Sequence, residues 1–240
     1  MKRNFDLVAF DLDGTLTQHK TQLEKSSREV LDKLGTQYKL LIIGAGSCRR
    51  IHRQMEHYPI DIIGHYGMQC SVYNRDSGVL EIVEDHKSPV NREEVTEKIT
   101  DLRNTLGYEK YHGDTVEFHN SGMITFPLLG THAPGSEKLA FDPAREKRRK
   151  IYPFVKKVFP GYTVFIGGSS SFDIVPFPYN KRYALEAYCV QQNISLKRVI
   201  YVGDDFGMGG NDEDISKSGI EYINVDDYRL LSQYVRGLLI

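Results

Sequence analysis

The sequence predicts an α/β protein: a doubly wound, Rossmann-like parallel sheet interrupted by a separate α+β module. Three observations carry that prediction. Short apolar runs alternate with amphipathic helical segments at the start of the chain, as a parallel sheet with helices on both faces requires. From about Glu84 to Tyr179 the alternation gives way to paired strands and helices. After "PFPYN" the first pattern returns, so the middle module reads as an insertion. Residues 1–85 and 180–240 form the predicted core and 86–179 the inserted module.

In the first part, "DLVAF" (6–10) is a buried-strand run. "SSREVLDKLG" reads as a helix, with serine as its N-cap and Gly35 as its stop. "KLLIIG" (39–44) and "IDIIG" (60–64) are further strands around a helical "CRRIHRQMEHY". "QCSVYNRDSGVLEIVE" reads as two strands around the turn "NRDSG".

In the module, Asn91 and Glu94 have capping-box spacing, and Val95, Ile99, Leu102 and Leu106 share one helix face. "DTVEFHNSGMITFPLL" reads as a hairpin. Asp142-Pro143 is expected to open a helix, with Pro153 kinking or breaking it. "YTVFIGGSSSFDIVPF" is a second strand pair, its "GGSSS" a bulge or tight turn. The core then resumes with the helix "KRYALEAYCVQQN" and the strands "RVIYVG" and "IEYINV".

The chain has 240 residues, 40% hydrophobic and 26% charged, with net charge −1. This is an ordinary globular composition, with no global field toward nucleic acid or an anionic membrane. No apolar run is long enough to span a bilayer. The charged start "MKRNFDLVAFDLDG" has too short an apolar part for a secretory signal. Cys48, Cys70 and Cys189 show no metal-ligand spacing and read as reduced thiols of a cytoplasmic protein. The run "REKRRK" (145–150) reads as a solvated helix face, not a nucleic-acid patch. His65, His112 and His132 show no ligand spacing.

The chemistry gathers at strand ends, where open α/β sheets bind ligands. Asp11 and Asp13 stand at i and i+2 after the first strand, followed by Gly14, which permits a tight turn. Gly46-Ser47 follows the second strand, Lys181 opens a helix, and Asp204-Asp205 follow "RVIYVG". Carboxylates crowded at one edge repel each other, and a divalent cation with oxygen ligands, Mg²⁺, relieves that repulsion. A cation, a lysine, a serine hydroxyl and backbone N–H groups cradle a phosphoryl group, which one aspartate can attack while another moves a proton.

"DLDGTLT" resembles the DxDGT signature of the haloacid dehalogenase (HAD) superfamily, with Ser47, Lys181 and Asp204 matching its other motifs in order. The inserted module resembles that superfamily's C2-type cap. "VEFHNSGM", "GGSSSFDIVPFPYNKR" and "GDDFGMGGNDEDI" are similar to segments of eukaryotic-type phosphomannomutases. The resemblance implies Asp11 as nucleophile, Asp13 as general acid/base, and Ser47 and Lys181 as holders of the phosphoryl oxygens. It implies Mg²⁺ on Asp11, the Asp13 backbone carbonyl and Asp204, with Asp205, Asn211 and Asp212 as a supporting loop. Gly14 and Gly46, with His119, Lys138, Ser171 and Asp173 in the cap, are the substrate-binding candidates.

The chain departs from the family pattern where cap arginines grip a second phosphate: His119 takes one position, and the others fall near Thr131 and Lys138. Cys48 replaces an aspartate and Asp205 a lysine. Loss of guanidinium forks weakens a distal phosphate site. The expectation is therefore a Mg²⁺-dependent phosphohydrolase acting on a small phosphorylated metabolite, a sugar phosphate. The alternatives are a phosphomannomutase and a silent sugar-phosphate-binding or protein-interaction module. The expected partner is that small substrate, with no nucleic acid and no membrane. An exposed cap sheet leaves a homodimer open.

Overall fold

The structure, a computed structural model, describes residues 5–239. The charged start of the leader reading, residues 1–4, lies outside them. The chain divides into two compact units. One holds the chain up to Asp85, 180–207 and Asp212 onward; the other holds His86–Tyr179 and Met208–Asn211. The four-residue loop therefore groups with the inserted segment, whereas the expected boundary put all of 180–240 in the core.

The core is a seven-stranded sheet. Strands β1 (Leu7–Phe10), β2 (Lys39–Ile43), β3 (Asp61–Gly64), β10 (Val199–Gly203) and β11 (Glu221–Asn224) lie parallel. Strands β4 (Gln69–Asn74) and β5 (Val79–Asp85) add an antiparallel edge hairpin, giving the order β11-β10-β1-β2-β3-β4-β5. The helices are α1 (Lys25–Leu34), α2 (Cys48–Gln54), α6 (Lys181–Gln191), α7 (Glu213–Ser216) and α8 (Leu231–Tyr234). Alternate β1 residues face opposite ways, as the strand period demands. Val8 and Phe10 pack with residues of α1, α2 and α8, while Leu7 and Ala9 pack with Leu185 and Tyr188 of α6. The sheet is thus covered on both faces, and its central strands β1 and β10 are apolar and buried along their length. Glu24, not a serine, occupies the N-cap of α1, while Gly35 ends that helix as expected.

The inserted unit is a four-stranded antiparallel sheet, β6-β7-β9-β8. Its strands are β6 (Glu117–Phe118), β7 (Ile124–Pro127), β8 (Tyr162–Gly167) and β9 (Ser171–Pro176). Its helices are α3 (Arg92–Leu106), α4 (Gly135–Phe141) and α5 (Glu146–Val158). Asn91 caps α3 by accepting from the Glu94 N–H, and Gly107 closes it in the left-handed region at φ 75°; only glycine takes that conformation at no steric cost. Helix α4 has no buried residue, so no apolar period announced it. Two expectations are corrected at α5: it begins at Glu146 rather than at Asp142-Pro143, and Pro153 does not break it. Asp142 still acts at its start, accepting from the Lys147 and Arg148 N–H groups at 3.0 Å each. Tyr152, Val155 and Phe159, buried on either side of Pro153, hold both turns in one apolar cluster. "GGSSS" forms the β8–β9 turn, with Gly168 at φ 50°.

The three cysteines are free and buried. Burial pushes the thiols up, to about 11 at Cys48 and Cys189 and about 12 at Cys70. No helix among the described residues is long and apolar enough to cross a membrane.

Candidate active site

Strand β1 ends directly at Asp11, whose N–H donates to the Val202 carbonyl of β10 at 2.8 Å. The chain then folds tightly on itself. Gly14 donates to the Thr17 carbonyl at 2.8 Å, and the N–H groups of Leu16 and Thr17 return to the Leu12 carbonyl at 2.9 and 3.1 Å. Gly14 sits at φ +96°, and a Cβ there would collide with the Asp204 carboxylate. Glycine is therefore needed twice over, for conformation and for the approach of Asp204.

Lys181, the first residue of α6, is fully buried. Its Nζ lies 2.7 Å from Asp11 Oδ1 and 2.8 Å from Asp212 Oδ1. Asp212 also accepts from the Tyr201 hydroxyl at 2.7 Å and from the Asp204 and Asp205 N–H groups at 3.1 Å each. Asp11, Asp204 and Asp212 each bring a carboxylate oxygen within 4.8 Å of the others. Burial, together with Asp212 and Asp204, pushes the Asp11 carboxyl well above its usual range against the pull of Lys181. Burial opposes the charge on Lys181, but Asp11 and Asp212 outweigh it and raise that ammonium's pKa. The phenol of Tyr201 is raised by burial and by the same two carboxylates. Lys181 thus pairs with two of the three clustered carboxylates, and that cluster of hard oxygen donors fits a Mg²⁺ ion.

Asp13 is not one of those three clustered carboxylates. Its Oδ1 accepts from Gln54 Nε2 at 2.7 Å and from the Lys20 N–H at 2.8 Å. Ser47 caps α2, accepting from the Arg50 N–H at 3.3 Å. It follows β2, which pairs in parallel with β1, so it stands at the same sheet edge as Asp11. Gly46 leaves room for the Arg50 guanidinium, into which a Cβ would run. Cys48 is an inert core thiol directed at the Ile62 carbonyl at 3.3 Å.

In the inserted unit, His119 Nε2 lies 3.0 Å from Thr125 Oγ1, which donates to Asp173 Oδ1 at 3.0 Å. His119, just past β6, thus forms one polar row with Thr125 of β7 and Asp173 of β9. Ser171 donates to the Gly167 carbonyl at 3.0 Å, and Lys138 Nζ to the Thr131 carbonyl at 2.8 Å. Asn211 falls in the loop that groups with this unit. The run "REKRRK" is not wholly a solvated face, because Arg148 is 1% exposed. Its guanidinium meets Asp142 at 3.0 Å and the Gly167 and Gly168 carbonyls at 2.9 Å each.

Sequence reasoning understated Asp212, named only as loop support, and missed Tyr201, Arg50 and Gln54. The i, i+4 spacing of Arg50 and Gln54 was the one available signal.

The profile of the family "Eukaryotic phosphomannomutase" matches residues 83–223. The chain is 27% identical over 226 residues to phosphomannomutase 2 of Dictyostelium discoideum, covering 90% of this chain and 89% of the relative. It is 29% identical over 220 residues to the phosphomannomutase of Saccharomyces cerevisiae, covering 87% and 84%. Among solved structures, an N-terminally truncated IMP-nucleotidase of Plasmodium falciparum superposes with TM-score 0.67 at 17% identity, covering 99% of this chain and 71% of that one. A trehalose-6-phosphate phosphatase related protein superposes with TM-score 0.53 at 15% identity, covering 98% and 97%. Those likenesses show the fold, which is that of the HAD enzymes with cap domains. With a family match across more than half its length, the chain belongs to the eukaryotic phosphomannomutase family.

Proposed function

We propose that this protein is a phosphomannomutase-type enzyme that moves a phosphoryl group between the 1- and 6-positions of a hexose through Asp11. The carrying observation is the Asp11–Lys181–Asp212 cluster beside Asp204 in a chain of this family. Family membership favours this reading over the simple phosphohydrolase expected from the sequence.

Asp11 is the nucleophile. Its carboxylate oxygen attacks phosphorus, the sugar P–O bond breaks, and an aspartyl-phosphate forms. Asp13 gives a proton to the departing sugar oxygen and takes one back from the hydroxyl that next accepts the phosphoryl group. Lys181 holds Asp11 in place and offsets charge on the phosphoryl oxygens, and Ser47 offers a hydroxyl and a helix start to the same group. Asp11, Asp204 and Asp212 are the carboxylates that would hold Mg²⁺, which would supply charge neutralisation at the transferring phosphate. The pairing of Asp212 with Lys181 and Tyr201 keeps that cluster in register.

A phosphohydrolase is the second reading, and a specific observation favours it. At the three positions where the resemblance implies distal-phosphate arginines, this chain has His119, Thr131 and Lys138. Lys138 donates to the Thr131 carbonyl and His119 lies against Thr125. A mutase must keep a bisphosphate bound while it turns over, whereas a hydrolase releases its product to water.

Incubation with mannose 1-phosphate, Mg²⁺ and a trace of hexose bisphosphate separates the two. Hexose 6-phosphate without free phosphate is the expected result. Stoichiometric orthophosphate makes the enzyme a hydrolase. If neither product forms, and p-nitrophenyl phosphate is also left intact, no phosphoryl transfer occurs and both readings fail.

A further inference from the structure

Resting on the proposed phosphoryl transfer, we propose that Gln54, aligned by Arg50, is a positioning residue for Asp13. It anchors Oδ1 and leaves Oδ2 as the oxygen that exchanges the proton.

The geometry is specific. Gln54 lies at the end of α2, 9% exposed. Its Nε2 donates to Asp13 Oδ1 at 2.7 Å and to Thr17 Oγ1 at 3.0 Å. Its Oε1 accepts from Arg50 at 2.9 Å. Arg50 can only donate, so it holds the amide oxygen on its own side and turns the NH₂ toward Asp13. The Lys20 N–H gives Oδ1 a second donor at 2.8 Å. Oδ2 takes no hydrogen bond among the described residues; His19 and Arg50 stand at 3.7 and 3.9 Å from it. The Asp13 side chain is 22% exposed, so Oδ2 is open to a substrate oxygen. The Leu23 N–H donates to the Gln54 carbonyl at 3.0 Å, tying the loop after Asp13 to the same helix end.

The reason to fix one oxygen lies in the proton's path. When the P–O bond to the sugar breaks, its electron pair leaves on the sugar oxygen, which takes the proton from Asp13. In the reverse half the incoming hydroxyl returns a proton to Asp13 as the Asp11–phosphorus bond breaks. Both transfers need the same oxygen in the same place, and a carboxyl free to rotate would present it only part of the time.

The test uses leaving groups. A sugar oxygen needs the proton, whereas p-nitrophenolate departs without one. In the full-length enzyme with Mg²⁺, Gln54→Ala is expected to lower kcat for hexose phosphate relative to kcat for p-nitrophenyl phosphate by about 10- to 100-fold, with the loss in kcat and not KM. Gln54→Glu keeps the size and the Arg50 contact but lacks the donor. It is expected to show the same selective loss, and it decides the matter if the alanine variant fails to fold. An equal fall on both substrates, or no fall, overturns the proposal and makes Gln54 a structural tie. Asp13→Asn is the control and should shift the ratio further. If Asp13→Asn shifts the ratio and the Gln54 variants do not, the positioning role alone fails. If Asp13→Asn leaves the ratio at the wild-type value, Asp13 is not the acid, and the proposal falls with that assignment.

Discussion

In the core, Lys181 is buried between Asp11 and Asp212 at 2.7 and 2.8 Å; in the inserted unit, Arg148 is buried against Asp142 at 3.0 Å. The ingredients match and the consequences are opposite. Arg148 pairs with Asp142, and further N–H groups of its guanidinium go to main-chain carbonyls of Asp142, Gly167 and Gly168. Burial works against the Asp142 charge, but the hydrogen bonds and charge of Arg148 prevail and hold that carboxyl below its usual range. Lys181 pairs with two of three clustered carboxylates, and Asp11 is driven upward instead, by its burial first and then by Asp212 and Asp204. Balanced buried charge marks a strut, and unbalanced buried charge marks a site that expects a cation and a phosphate.

The largest effect should come from breaking the strut. Arg148→Ala leaves Asp142 buried without its partner and is expected to cost about 3–5 kcal/mol, read as a lowered urea midpoint. Asp142→Asn with Arg148→Met should recover part of the loss, because a neutral pair strands no charge. A loss under about 1 kcal/mol would place the pair with weak surface bridges.

The core cluster should respond with the opposite sign. Asp11→Asn removes one of three crowded carboxylates, abolishes phosphoryl transfer, and should raise Tm without Mg²⁺ by about 2–4 °C, roughly 1 kcal/mol at this size. The wild type should gain more from Mg²⁺ than the variant, since binding to the folded state alone adds about 2.7 kcal/mol at a hundred times Kd. A variant less stable than wild type in chelator would show that the cluster is balanced after all.

The smallest effect concerns pH. The folded Asp142 carboxyl titrates below its unfolded value of about 3.9, so the unfolded chain binds the proton first. Its contribution is therefore complete above that value and is lost as pH falls through the folded pKa. Urea midpoints followed from pH 6 downward should fall less steeply below about pH 4 for Asp142→Asn than for wild type. Parallel curves would mean that Asp142 contributes nothing through its charge.

Much of the fold was legible because it rests on local pattern. The strands of the core sheet, the Asn91 cap and the Gly35 stop all follow from residues within a few positions of each other. Asp11, Asp13, Ser47, Lys181 and Asp204 could be named because each follows a recognisable strand end or opens a helix. Helix α4 carried no apolar period, and the start of α5 shifted because Asp142 reaches it from outside. Asp212 could not be ranked above Asp205, since both lie in one acidic loop. The path of residues 204–212 decides which carboxylate turns back onto Lys181, 31 positions away.

The sequence by itself determined the alternation of strand and helix, the interruption near residue 86 and the return near residue 180, because period and turn chemistry are properties of neighbouring residues. Only the tertiary structure decided which charges meet. Arg148 looked like one cation in a solvated run until the β8–β9 turn and Asp142 closed around it. Gln54 meets Asp13 only because the loop after Asp13 folds against α2. Burial and charge balance depend on distances between residues remote in the chain, and no local pattern encodes them.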